Sequence, residues 1–197
     1  MTLSAIVTVP AVLAPADFTA PIAGEPALVR AVRAVRAVAP VTVVAAKELA
    51  DAAAECLAAH GLSDVRVHTA PALPSEGDTI LVHDVRYPLA PADLATRVAA
   101  AVPNHDVVIP VLAMTDSVKS VAAGGIVLGN VDRSELVTAQ YPRGYTAAVL
   151  AGFVPDDLAA LTSAGLNVGT VDGDPNAFAV DLARDRQLLD AIVTDGG

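Results

Sequence analysis

The sequence predicts a single α/β domain built on a mostly parallel sheet with helices on both faces. Short Val/Ile runs of strand length alternate with Ala-rich stretches at helical spacing, and strands separated by helices imply βαβ units. The 197 residues suffice for one sizeable core, and no repeat, linker or low-complexity tail divides them.

Leu3 to Val9 is an apolar run with β-branched residues and reads as the first strand. Glu25 to Val38 reads as a helix, because Leu28, Val29, Val32, Val35 and Val38 recur near helical spacing. Val41 to Ala45 follows as a second strand, and Lys47 to His60 as a helix closed by Gly61. Val65 to His68 is a short strand and Thr79 to His83 a buried one, before a helix from Pro91 to Val102 with proline at its start. Asp106 to Leu112 is another strand. From Ser117 to Val127 two polar–apolar stretches flank Ala122-Ala123-Gly124-Gly125, the pattern of a β-hairpin turn. A helix is expected after Pro142 and another near Pro155. Leu166 to Val171 and Ala177 to Val180 read as late strands, and Asp181 to Val193 as a final helix.

Composition excludes several function classes. Hydrophobic residues make up 54% but aromatics only 3%, so the core must be assembled from many small side chains. A net charge of -10 argues against nucleic acid, whose phosphates require a basic surface, and disfavours anionic membranes. The charge-free opening run, Met1 to Ala16, is broken by Pro10 and Pro15 and is too short to span a bilayer. It lacks the basic start of a secretory signal, so a soluble cytoplasmic protein is expected. The lone Cys56 excludes an internal disulfide and a cysteine-based metal site, and reads as a small apolar residue on a buried helix face.

Ligands of open α/β sheets bind beyond the carboxyl ends of the strands, which singles out the loops after Val9, His83, Leu112 and Val171. A phosphate cradle after the first strand needs glycines that admit backbone amides, and a Lys or Arg to neutralise charge. Pro10 to Pro21 offers no Gly, Lys or Arg. Its prolines remove amide donors, and Asp17 would repel an anion. In His83-Asp84-Val85-Arg86-Tyr87-Pro88, Asp84 is placed either to hold Mg²⁺ between phosphates or to cap its own loop, and His83 reads as structural. The hydroxyls and cations of Thr115 to Lys119 and Val131 to Arg133 are compatible with a phosphorylated small molecule. Asp116 with Lys119 and Asp132 with Arg133 read more simply as solvated ion pairs of little energetic weight. Arg30, Arg33 and Arg36 form a stripe that reads as a solvated helix face.

Several short segments, in order, resemble the 2-C-methyl-D-erythritol 4-phosphate cytidylyltransferases, which couple CTP to methylerythritol phosphate and release pyrophosphate in isoprenoid precursor synthesis. They are Ala5-Ile6-Val7, Leu81 to Asp84 with Pro88, Val108 to Val111, Thr115 to Lys119, Val131 to Ser134, Ala139-Gln140 with Pro142, Gly144 and Tyr145, and Gly173-Asp174-Pro175 with Phe178. The resemblance implies a Rossmann-like nucleotidyltransferase fold with a β-arm over about residues 117–131, and a homodimer clasped through that arm. It also implies that Asp84 is the Mg²⁺ position of an active member, and that Ser117 and Arg133 are the substrate-side hydroxyl and cation.

The chain departs from the family where CTP is bound. The Gly-rich loop with its Arg and Pro-Lys end has no counterpart between Thr8 and Pro21, and a cytidine-contacting segment is missing between Val67 and Leu73. Arg86 stands one place early, with Tyr87 at the family's Arg position. Tyr141 replaces a Thr, Ala179 a Lys and Asp181 a Thr, while Asp156-Asp157 match an acidic segment. Only Arg86, Lys119 and Arg143 are left to compensate, and Arg86 and Lys119 are the only catalytic candidates. Losing one charge-stabilising donor costs on the order of 10²- to 10³-fold in rate. The sequence therefore predicts a non-catalytic paralogue with a binding or regulatory role and no cofactor, dimeric and open to a protein partner. The alternative is an active CTP-dependent enzyme with a rebuilt loop, using Mg²⁺.

Overall fold

The computed structural model describes residues 2–70, 78–152 and 158–195. In chain order the elements begin β1 (Leu3–Val9), α1 (Pro15–Thr19), β2 (Pro21–Ile22), β3 (Glu25–Pro26), α2 (Ala27–Arg36), β4 (Val41–Ala45), α3 (Lys47–Ala59) and β5 (Arg66–His68). Then come β6 (Thr79–Asp84), α4 (Ala92–Ala101), β7 (Val107–Ala113), β8 (Lys119–Val121), β9 (Val127–Asn130) and β10 (Val137–Ala139). The chain continues through β11 (Arg143–Thr146), α5 (Ala147–Gly152), α6 (Leu158–Ser163), β12 (Val168–Asp172) and α7 (Arg186–Asp195).

The main sheet runs β5-β4-β1-β6-β11-β7, with β10 antiparallel to the end of β7 and β12 parallel to it. Strands β5, β4, β1 and β6 are mutually parallel, and the antiparallel β11 joins β6 to β7. β6 lies centrally and all six of its residues are buried, which explains its unbroken apolar run, Ile80 to Val82. Side chains alternate across a strand, so Leu81 and His83 share one face while Ile80, Val82 and Asp84 share the other. The first face carries Ala5, Val7 and Val9 against Leu28, Val32 and Val35 of α2, Leu57 of α3 and Val98 of α4. The second packs Ile80, Val82, Val107 and Ile109 against Tyr145, Val149 and Leu161.

Local chemistry sets the boundaries. α3 ends in a Schellman turn, in which Leu62 N donates to Leu57 O (2.9 Å) and Gly61 N to Ala58 O (3.2 Å), with Gly61 at φ +73°. Cys56 is buried on that helix, and burial pushes its thiol pKa up. On α2, Arg33 and Arg36 pair with Glu25 and Asp64 on the outer face. Arg30 departs from a solvated stripe: it donates to the Ile22 carbonyl at 2.9 Å and anchors the β2–β3 turn.

Several sequence expectations are corrected. The helix expected from Glu25 begins at Ala27, because Glu25 and Pro26 pair with Pro21 and Ile22. After Pro142 the chain first forms the strand β11, and only then the helix α5. A Cβ on Gly144 would collide with the Val102 and Val98 side chains, so this strand passes tightly beneath α4. Ala177 to Val180 is not a strand. Its apolar residues are buried at Ala177 and Val180, but Val180 N donates to the loop carbonyl of Arg86 (2.9 Å). The last helix starts at Arg186 rather than Asp181, whose carboxylate caps the Ala183 and Arg184 amides. Pro155, Asp156 and Asp157 lie outside the described residues, as do 71–73.

The hairpin is present as expected. β8 and β9 form a two-stranded sheet apart from the main one, turned through Gly124 (φ +91°) and Gly125 (φ +84°). Ile126, Val127 and Leu128 are 66%, 60% and 68% exposed, an apolar concentration that the rest of the described surface lacks. Among the described residues no helix is long and apolar enough to cross a membrane.

Candidate functional site

The strand ends of β1 and β6 open onto a cleft of about 540 Å³ lined by Val12, Leu13, Asp17, Arg86, Val180 and Asp181, with neighbouring residues of the same segments. This is the crevice expected beyond parallel strands, and the loop after Val9 forms one wall.

That loop is folded back on the protein instead of standing open. Leu13 N bonds to Pro10 O (3.1 Å), and the Asp17 carboxylate accepts from Ala14 N (2.7 Å), which starts α1 at Pro15. Phe18, fully buried, anchors α1 in the core. Arg186 at the start of α7 donates to the carbonyls of Ala16 (3.0 Å), Asp17 (3.4 Å) and Pro21 (3.3 Å). Asp190, one turn on, accepts from Ala23 N at 2.6 Å. Within the loop expected over Pro10 to Pro21 the chain thus forms a short, stitched helix, and Asp17 still lines the cleft.

Asp84 ends β6 at 3% exposure. Its Oδ1 accepts from Arg86 N (2.8 Å) and Nε (3.0 Å), and its Oδ2 from Nε (3.2 Å) and Nη2 (2.6 Å). This is both the loop cap that the sequence allowed and a forked ion pair with a guanidinium that is itself 40% exposed. A resident Mg²⁺ fits this arrangement poorly: Asp84 has no carboxylate oxygen left without a donor, and no group of three or more possible ligands gathers among the described residues.

His83, the neighbour of Asp84, is buried on the opposite face, and neither ring nitrogen reaches a hydrogen-bond partner. Burial lowers its pKa to about 4, against the opposing pull of the Asp84 charge and of the Tyr87 backbone, which acts on the ring without meeting hydrogen-bond geometry.

Two further loops close on the same region. Tyr87 and Tyr141 stack obliquely with ring centroids 5.0 Å apart, and the Arg143 guanidinium lies 4.2 Å from the Tyr141 ring centre. The Gln140 amide grips the next loop from both sides, with Nε2 donating to Asp174 O and Oε1 accepting from Asp174 N, each at 2.8 Å. The Tyr141–Pro142 bond is cis.

The candidates from the third loop lie elsewhere, at the root of the β8–β9 arm. Lys119 donates to the Asn130 side chain, and Arg133 to the Thr115 carbonyl. Asp132 caps Ser134 N (3.0 Å), and those hydrogen bonds lower its pKa. These partners replace the ion pairs expected with Asp116 and Asp132. Ser117 sits exposed beside them and, like Lys119 and Arg133, is not among the residues lining the cleft at Arg86. Arg186 and the Gln140 clamp are structural devices that the sequence does not signal. Gln140 was visible only as a motif residue, and Arg186 carried no local signal.

A central parallel sheet with a crevice at its strand ends, an antiparallel insertion and a separate hairpin define the Rossmann-like nucleotidyltransferase class. A solved 4-diphosphocytidyl-2C-methyl-D-erythritol synthase superimposes with a TM-score of 0.77 over 98% of each chain, at 21% identity. Residues 18–195 match the 2-C-methyl-D-erythritol 4-phosphate cytidylyltransferase family model, and the chain belongs to that family. The Frankia casuarinae cytidylyltransferase is 34% identical over 192 residues, covering 87% of this chain and 72% of that enzyme. The Rhodococcus jostii enzyme is 35% identical over 133 residues, 64% of this chain, and the match spans only 59% of that enzyme's length.

Proposed function

We propose that this chain is a non-catalytic member of the cytidylyltransferase family with a binding or regulatory role, working as a homodimer joined through the β8–β9 arm. The observation that carries the reading is the wall formed by residues 10–21. A triphosphate is held by backbone amides and cations aimed at its oxygens. This wall supplies Val12, Leu13 and the Asp17 carboxylate, and its nearby cation, Arg186, is committed to three main-chain carbonyls. The opposite lip adds Asp181. Exposed Ile126, Val127 and Leu128 support the arm as a surface for a second copy, and they also leave room for a protein partner.

Calorimetric titration with CTP and Mg²⁺ tests the proposal. It predicts no saturable binding at micromolar nucleotide. Micromolar binding that is lost in Asp84→Asn overturns it. The family match over residues 18–195 favours one second reading, an active cytidylyltransferase for isoprenoid synthesis with a rebuilt loop. In that reading Asp84 holds Mg²⁺, Arg86 and Lys119 attend the phosphates, and Ser117 with Arg133 hold methylerythritol phosphate. Release of pyrophosphate from CTP only when methylerythritol phosphate is added would establish it.

A further inference from the structure

We infer that the Arg86 guanidinium is a built-in counter-cation for Asp84, taking the carboxylate that a divalent metal would otherwise use, so that the cleft receives its ligands without metal. The inference deepens the non-catalytic reading and rests on it. Asp84 is 3% exposed at the end of a central strand, and a buried carboxylate without a partner is strongly unfavourable. A carboxylate has about four acceptor positions. Here three Arg86 donors make four contacts, the backbone amide at 2.8 Å, Nε shared between both oxygens at 3.0 and 3.2 Å, and Nη2 at 2.6 Å, so each oxygen has two.

The cation is tethered two residues from its anion, and its backbone is fixed on both sides. Arg86 N bonds to Asp84, and Arg86 O accepts from Val180 N at 2.9 Å. Little freedom remains to be lost when the pair forms, so a metal arriving from solution competes with a partner already in place. Mg²⁺ also demands a near-octahedral oxygen shell. The other carboxylates at the cleft each spend one oxygen locally, Asp17 Oδ2 on Ala14 N and Asp181 Oδ1 on the Ala183 and Arg184 amides, and neither joins Asp84 in a group of three possible ligands among the described residues. A metal–triphosphate complex therefore meets Asp84 already paired, at a cleft that the 40% exposed Arg86 side chain itself lines.

Mn²⁺ titration followed by electron paramagnetic resonance, with no nucleotide present, provides the test. Wild type should leave Mn²⁺ free into the millimolar range. Arg86→Gln should gain one site at least tenfold tighter, and Arg86→Gln with Asp84→Asn should lose it. In parallel, the melting temperature of Arg86→Gln should fall and be raised again by Mg²⁺, while that of wild type should not respond. If Arg86→Gln does not fold, Arg86→Lys retains the charge without the fork and should show weaker but detectable Mn²⁺ binding that depends on Asp84. A wild-type Mn²⁺ site abolished by Asp84→Asn overturns the inference, as does a folded Arg86→Gln or Arg86→Lys that binds no better than wild type. Because nucleotide is absent, failure here is separable from failure of the CTP titration.

Discussion

Acidification should destabilise this protein through His83, and the size of the effect follows from its surroundings. Its pKa falls from the ordinary 6.5 to about 4, chiefly because burial removes the water that would solvate an imidazolium. Between those values the unfolded chain binds a proton that the folded chain refuses, so stability rises with pH across that window. It is fully present above pH 6.5 and is lost progressively as pH falls towards 4. At about 1.4 kcal/mol per unit, the gap is worth about 3 kcal/mol. His83→Leu removes the titrating group and two ring nitrogens that have no partner, so at pH 7.5 it should cost less than about 1 kcal/mol. Urea unfolding of both proteins at half-unit steps from pH 7.5 to 4 reads the difference directly, because the carboxylates common to both cancel. A Leu variant with the wild-type pH slope would refute the reasoning. So would a loss above about 2 kcal/mol at pH 7.5, since that would mean the ring has a partner.

Gly173→Ala should lower stability by about 1–3 kcal/mol in thermal unfolding. A Cβ there would strike the Gln140 side-chain oxygen and approach Val111 O to 2.8 Å, so the Asp174 clamp must open. If the arm joins two copies as proposed, Ile126→Lys combined with Leu128→Lys should convert dimer to monomer in sedimentation velocity and lower the melting temperature only by the concentration-dependent contribution of association, because both side chains are already exposed in the single chain.

Much of the fold was legible because burial leaves a pattern. The run Ile80 to His83 could only be a strand covered on both faces, and the Arg and Val positions of α2 separate its outer and inner sides. β11 was not legible. Arg143 to Thr146 follows a proline and leads into an Ala-rich run, so local preference reads helix, while the gap between β6 and β7 demands a strand. Ala177 to Val180 fails in the other direction: it is apolar because it is covered, although it joins no ladder. At the candidate site, the absence of glycines and cations in residues 10–21 and the place of Asp84 at a strand end could be read directly. What Asp84 binds could not, because Arg86 folding back depends on the backbone of its own turn. Arg186 was hidden by distance, since its acceptors lie about 170 positions earlier and no periodicity connects them.

That long-range stitch bears on how the molecule assembles. The rim beside β1 is completed only when residues 186–190 dock on residues 16–23, so two segments about 170 positions apart must meet before it can set. Contacts so far apart in sequence carry a large loop-closure entropy and slow a folding reaction.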